Sequence, residues 1–194
     1  MVRLARPRHG HFDLGTGYHG DVWLDLDALF LRPAALRPYV QVLAARLRGH
    51  RPDAVCGPME GGAFLAHAIA AELGAAFLPA ARDPAARPGT ATGYLLPRVP
   101  AGISGWRVAI ADDAVNAGTA VRACAGLLRS LGAVPVAVAA LISLGPAGAA
   151  VAKDISVPFY AVGALPSQAW PAGQCTLCAA GLPPASPGYR ASPA

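Results

Sequence analysis

From residue 50 onward, short apolar runs alternate with longer helical stretches, and this alternation constrains the fold more than any other feature of the chain. Asp53 to Cys56 reads as a short buried strand closed by Gly57-Pro58, and Gly61 to Leu73 as a helix that Gly74 ends. Ala75 to Ala80 is a second strand. Trp106 to Ala111 is the clearest, being apolar, β-branched and opening on two acids. Thr119 to Leu131 places Val121, Leu127, Leu128 and Leu131 at helical spacing before Gly132, and Val134 to Leu144 and Phe159 to Gly163 supply further strands. Strands without a polar face must be covered on both sides, which in an alternating βα chain means a parallel sheet with right-handed crossovers. The expected fold class is α/β, a central, mostly parallel sheet flanked by helices.

Residues 1–182 are expected to form one domain and 183–194 a disordered tail. Within that domain, 51–165 is the core. Residues 1–50 contribute an irregular or β-rich arm (His11 to Phe30) and a helix (Pro33 to Arg48) with proline near its start. The arm and the Pro- and Gly-rich segment after residue 165 are expected to form a small cap over the sheet. Residues Arg82 to Gly105 hold Pro and Gly with little periodicity, a long excursion of the kind that is usually functional or disordered.

Composition narrows the function. With 194 residues, 54% hydrophobic and 14% charged, the chain is neither disordered nor too small for a core. Val134 to Ala152 carries no charge, yet Pro135, Gly145, Pro146 and Gly148 interrupt it, so a strand, a turn and a helix start are expected there and no membrane span. No apolar h-region follows the N-terminal arginines, and the cytoplasm is the expected compartment. The net charge of +5 is carried almost wholly by arginine, Lys153 being the sole lysine. No arginine run with interleaved aromatics occurs, so nucleic acid is not an expected partner. Trp23, Trp106 and Trp170 are read as core or interface filler, and His67 as packed within an apolar helix.

Arg107 to Ala120 carries the chemistry. A buried strand delivers Asp112 and Asp113 to its C-terminal edge, where open α/β sheets bind ligands. The small-residue turn Ala114, Val115, Asn116, Ala117, Gly118, Thr119 then enters a helix. Such a turn offers converging amide N–H groups and a positive dipole end to an anion. Carboxylates that accept from ribose hydroxyls, beside a turn that holds phosphate, suit a phosphorylated sugar.

This segment resembles the phosphoribosyl-pyrophosphate (PRPP) signature of the type I phosphoribosyltransferases: apolar strand, two acids, short loop, Gly, Ser/Thr. The family's commonest loop reads Thr-Thr-Gly-Gly-Thr where this chain has Asn116-Ala117-Gly118-Thr119-Ala120. Cys56 to Ala63, with Gly57, Pro58, Met59, Glu60, Gly61 and Gly62, resembles the family's pyrophosphate loop. His11 to Gly20, with Tyr18 and His19, resembles the segment near the base in its orotate branch, and Trp170 to Pro183 an ending found in some bacterial members. The resemblance spans about His11 to Pro183.

The resemblance implies displacement of pyrophosphate from PRPP by a ring nitrogen of a small aromatic base, with Mg²⁺ bound through PRPP and reached through water by Asp112 and Asp113. It also implies a lid over residues 82–105 and a homodimer. Orotate enzymes usually carry a lysine in the lid and another near the base. This chain has Tyr18 in place of the second and no lysine between Arg82 and Gly105. Arg82 is then the candidate cation, with Arg87 and Arg98 as further contributors. Glu60 is read as either a water-mediated Mg²⁺ contact or a cap at Gly61, and His19 as a substrate contact or a hydrogen-bonded structural residue.

Alternatives remain at this level. The acceptor is orotate, another base or a natural product, or the chain is a non-catalytic PRPP-binding regulator. Against the last, the N-terminal arm is too short for an added DNA-binding domain. A dinucleotide-binding fold is disfavoured because no Gly-x-Gly-x-x-Gly follows the first strand. Cys175 and Cys178 form a lone Cys-x-x-Cys pair, while Cys56 and Cys124 fall on core elements. Because tetrahedral zinc needs four ligands, the pair is read as a local turn ahead of zinc or redox chemistry, zinc shared between two subunits being the version to check.

Overall fold

A computed structural model describes residues 5–14, 17–85 and 93–185. In chain order its elements are β1 (Arg8–Asp13), β2 (Tyr18–Trp23), α1 (Asp27–Phe30), α2 (Pro33–Arg48), β3 (Ala54–Pro58), α3 (Ala63–Leu73), β4 (Ala76–Arg82) and β5 (Tyr94–Leu95). There follow β6 (Arg107–Val115), α4 (Thr119–Ser130), β7 (Val134–Leu144), α5 (Ala147–Ile155), β8 (Phe159–Leu165), β9 (Ala169–Pro171) and, after a 3-10 turn, α6 (Thr176–Ala179).

Six strands form the main sheet in the order β5-β4-β3-β6-β7-β8, all neighbours parallel except the antiparallel edge pair β4 and β5. Strand alternation sorts the core into two layers. Val55, Ala109 and Ala111 face α2 and α3, whereas Ala54, Cys56, Val108 and Ile110 face α4 and α5. Alanine dominates the strands because helices on both faces approach closely.

The chain leaves β3 outward to β4 and β5, then crosses back to β6. That reversal opens a crevice between the C-terminal ends of β3 and β6, the place where doubly wound sheets bind ligands.

The cap is a second, three-stranded antiparallel sheet, β1-β2-β9, so the two ends of the chain meet. Asp21 on β2 ties it to the segment after β8, accepting from Ser167 Oγ and from the Gln168 N–H, each at 2.8 Å.

Several expectations need correction. β6 continues through both acids to Val115, because pairing with β7 persists as far as Ser143. The 82–105 excursion is not wholly irregular: β5 pairs with β4, and Tyr94, Leu96 and Ile103 are buried. The start of the expected tail is held against the cap. The Ala185 N–H donates to the His11 carbonyl at 2.7 Å, and the Asp13 N–H donates to the Ala185 carbonyl at 3.1 Å. Residues 186–194 lie outside the described residues. His67 is exposed on α3, standing edge-on to Phe77, and is not packed in the core.

Candidate functional site

The site is built at the crevice from two loops that touch. Asp112 and Asp113 extend from β6, and the turn from β3 into α3 lies directly on them. A Cβ added to Gly61 would sit 2.9 Å from Asp113 Oδ1, and one added to Gly62 would sit 2.7 Å from the Asp112 Cα. Both positions therefore need glycine for the loop to reach the acids. Gly57 and Pro58 are buried at the end of β3, while Met59 and Glu60 project to solvent.

Asp112 is buried and Asp113 partly so. The Asp113 N–H donates to Asp112 Oδ1 at 3.0 Å, and the Ala114 N–H donates to Asp113 Oδ1 at 2.6 Å. Burial, reinforced by the charge of Asp113, pushes the Asp112 carboxyl well above the ordinary carboxylate range. Burial likewise raises Asp113, to about 6, with the Ala114 amide pulling the other way. Two raised carboxyls at a strand end suit hydroxyl donors or a cation.

Beyond the acids, Ala114 to Thr119 form the turn into α4. Gly118 adopts φ +74°, the left-handed conformation that only glycine takes without strain, and its neighbour across the gap is Val151. Asn116 and Ala117 line a cavity of about 170 Å³ together with Tyr18 of the cap and Arg122 of α4.

Arg122 escaped the sequence reading. Its Nη1 donates to the Ala117 carbonyl at 2.6 Å and its Nε to Asp154 Oδ2 at 2.8 Å, so it braces the turn. The signal available was its place one turn past Gly118 in a helix entered from an anion-binding loop.

Arg82 ends β4 beside the pyrophosphate-like loop, as the register of Pro58 with Ala80 requires. Its Nε pairs with Glu60 Oε1 at 3.1 Å, and its guanidinium lies 5.7 Å from the centroid of the Tyr94 ring. The buried Tyr94 hydroxyl donates to Glu60 Oε2 at 3.1 Å. Burial and the Glu60 charge push the Tyr94 hydroxyl up and keep it protonated. Of the two roles expected of Glu60, the cap is not found. The position before α3 is Gly62, without a side-chain cap, and both Glu60 oxygens are engaged by Arg82 and Tyr94. Arg98 is exposed on the return segment, and Arg87 lies outside the described residues.

His19 is not brought to this site. Its Nδ1 lies 3.1 Å from His11 Nε2 and 3.3 Å from Cys178 Sγ, on the far side of the cap sheet's hairpin from its neighbour Tyr18 in sequence alternation.

The class that this crevice defines is the type I phosphoribosyltransferases, and solved structures of that class share the fold. The orotate phosphoribosyltransferase of Aeropyrum pernix matches with a TM-score of 0.64 and 24% identity over 84% of this chain and 90% of that one. The adenine phosphoribosyltransferase of Thermoanaerobacter pseudethanolicus matches with a TM-score of 0.61 and 23% identity, over 74% and 88%. No family model matches the sequence. Curated relatives do. The orotate phosphoribosyltransferase of Caldanaerobacter subterraneus subsp. tengcongensis is 30% identical over 188 residues, 97% of this chain and 93% of that one. That of Thermotoga maritima is 30% identical over 190 residues, 98% and 96%. The chain belongs to the orotate phosphoribosyltransferase family, and it is a pentosyltransferase.

Proposed function

We propose that the protein transfers the 5-phosphoribosyl group of PRPP to orotate, giving orotidine 5′-phosphate and pyrophosphate. The observation that carries this reading is the contact of the Gly61-Gly62 loop with Asp112 and Asp113 at the sheet's switch point. In this reading the loop takes the pyrophosphate, the two acids take the ribose hydroxyls, and the turn after them takes the 5′-phosphate. Curated relatives of nearly equal length bearing the orotate name support the acceptor.

In this reading the bond from C1 of the ribose to the pyrophosphate oxygen breaks, and its electrons leave on the pyrophosphate. A bond forms from C1 to a ring nitrogen of orotate, whose proton passes to solvent. The transition state has oxocarbenium character, as in glycoside hydrolysis. Asp112 and Asp113 accept from the ribose hydroxyls, so their negative charge lies near the developing cation. Ala114 to Thr119 hold the 5′-phosphate, with Arg122 keeping the turn in shape. Gly57 to Gly62 and Arg82 receive the leaving pyrophosphate; a guanidinium has five donors and the pair with Glu60 engages only Nε. Tyr18, which lines the cavity beside Asn116 and Ala117, is in this reading the residue nearest the base.

Mg²⁺ fits this reading. Asp112 and Asp113 are hard oxygen donors of the kind that hold a hydrated Mg²⁺ through water, and PRPP supplies the remaining oxygens. When bound, the ion disperses charge on the pyrophosphate. A cytoplasmic homodimer completes the proposal. The cysteines are unpaired, as expected of a reducing compartment, and among the described residues no helix is long and apolar enough to cross a membrane.

A second reading, transfer to a different base, draws on Tyr18 at the position where the family usually places lysine. Incubating the protein with PRPP, Mg²⁺ and a panel of bases distinguishes the readings. Pyrophosphate release with orotate alone is the expected result. Release with another base moves the assignment to that acceptor. PRPP binding without release for any base would make the protein a regulator and end the catalytic reading.

A further inference from the structure

Away from the crevice, two imidazoles and two thiols converge on one point. His11 comes from β1, His19 from β2, and Cys175 and Cys178 from either end of the turn that opens α6. One donor atom of each lies within 4.8 Å of all the others. His11 Nε2 is 3.1 Å from His19 Nδ1, 3.3 Å from Cys175 Sγ and 3.8 Å from Cys178 Sγ; Cys178 Sγ is 3.3 Å from His19 Nδ1. Bonds of about 2.0–2.3 Å to a tetrahedral zinc ion set the edges between donors at roughly 3.3–3.8 Å. Four of the six separations stand close to those edges, and the remaining two lie within 4.8 Å.

The surroundings fix the chemistry of one donor. His11 Nδ1 lies 2.8 Å from the Leu182 carbonyl oxygen, which can only accept. The proton therefore sits on Nδ1, and the lone pair of Nε2 points into the cluster. A backbone carbonyl that orients a ligating imidazole in this way is the usual outer partner of a metal site. His11 and Cys175 are buried, whereas Cys178 faces solvent and leaves a path of entry. A hydrogen-bonded histidine pair would not need two thiols, and a redox dithiol would not need two imidazoles.

We infer that His11, His19, Cys175 and Cys178 of a single chain bind one zinc ion in a closed tetrahedral His2Cys2 site. Four protein ligands leave no open position, so the ion is structural. Two thiolates and two imidazoles favour zinc over the Mg²⁺ of the transfer reaction. This goes beyond the local turn expected at Cys175–Cys178, and no second subunit is needed to complete the ligand set.

The site has a clear task. The cap's three strands are short, and few of their side chains are buried. The ion joins its hairpin to the C-terminal segment, and His19 is the residue after Tyr18, so the same ligand anchors the strand that carries Tyr18 to the cavity. This inference stands apart from the choice of acceptor, because its readout is metal content.

The test uses the full chain, expressed with zinc in the medium and purified without a metal-affinity step. Elemental analysis is expected to give about one zinc per chain. The Cys175→Ala, Cys178→Ala variant is expected to lose it, while Cys56→Ala, which removes a buried core thiol, keeps it. Should the double variant fail to fold, the wild-type chain still decides. Removing zinc with a chelator should lower its melting temperature, zinc but not Mg²⁺ should restore it, and Co²⁺ should produce the visible bands of a tetrahedral dithiolate centre. A folded wild-type chain that takes up neither zinc nor cobalt overturns the inference. So does a Cys175–Cys178 disulfide found by mass spectrometry in that preparation.

Discussion

At the scale of single residues, the two aspartates set protein stability against function. Burial holds Asp113 at about 6 in the folded chain, against 3.8 for the free group. Between those values the folded chain keeps a proton that the unfolded chain has lost, so stability falls as pH rises through that window and stays lower above it. Asp113→Asn removes this group's share of the dependence, leaving that of the raised Asp112, while keeping an acceptor for the Ala114 N–H. It is expected to raise stability at neutral pH by about 1–2 kcal/mol, a figure discounted for the group's partial exposure. It is also expected to cost roughly a hundredfold or more in kcat/KM for PRPP. Urea unfolding followed across pH checks the first part; a variant as pH-dependent as its parent would refute it. Gly62 offers a sharper steric case, since a Cβ there meets Asp112 at 2.7 Å. Gly62→Ala should cost on the order of 1–3 kcal/mol. Gly49→Ala, where a Cβ meets nothing within 4 Å, should be neutral or slightly stabilising in the same thermal melts.

At the scale of elements, Arg82 tests whether strand register delivers catalytic charge. The parallel pairing of β3 with β4 places it beside Glu60, and the exposed ion pair adds little to stability. Arg82→Ala is expected to leave the melting temperature nearly unchanged while lowering kcat/KM for PRPP by roughly tenfold or more, the loss of a charge-assisted contact. Arg82→Lys should recover part of that loss, as a point charge without the guanidinium fork. Unaltered kinetics in Arg82→Ala would place the cation elsewhere. Legibility divides along the same lines. Apart from β5, the strands of the main sheet, α2 and the turn into α4 could be read because each is a local pattern: Val134–Leu144 is apolar throughout, and Gly118 closes a loop between two such elements. β6 ran further than expected because pairing with β7, which its own acidic residues do not reveal, carries it through Asp112 and Asp113. The histidine–cysteine cluster was hidden for a different reason. His11 and Cys175 lie 164 residues apart, and only the pairing of β2 with β9 brings their segments together. The contacts of Glu60 with Arg82 and Tyr94 could not be read because they come from strands whose register no periodicity specifies.

At the scale of the whole molecule, an apolar groove remains on the face opposite α4 and α5. It has a volume of about 610 Å³ and runs between α2 and α3, lined by Phe30, Leu36, Val40, Phe64 and Ala68, with Arg37 and Glu72 also on its walls. Phe64 and Leu31, 67% and 81% exposed, are large apolar side chains that a single chain leaves in water. A second copy seated on this groove by a two-fold axis is expected to cover Phe64, because such an interface uses the same patch twice. A stable pair of this kind buries roughly 800 Å² per partner. If the proposed homodimer forms, this apolar face is where its interface is expected. Sedimentation of the parent at micromolar concentration should show a dimer. Phe64→Asp places a charge at the centre of the buried patch and should shift the species to monomer without changing the melting cooperativity of the isolated domain. A parent that sediments as a monomer, or a Phe64→Asp variant that remains dimeric, would move the interface off this groove.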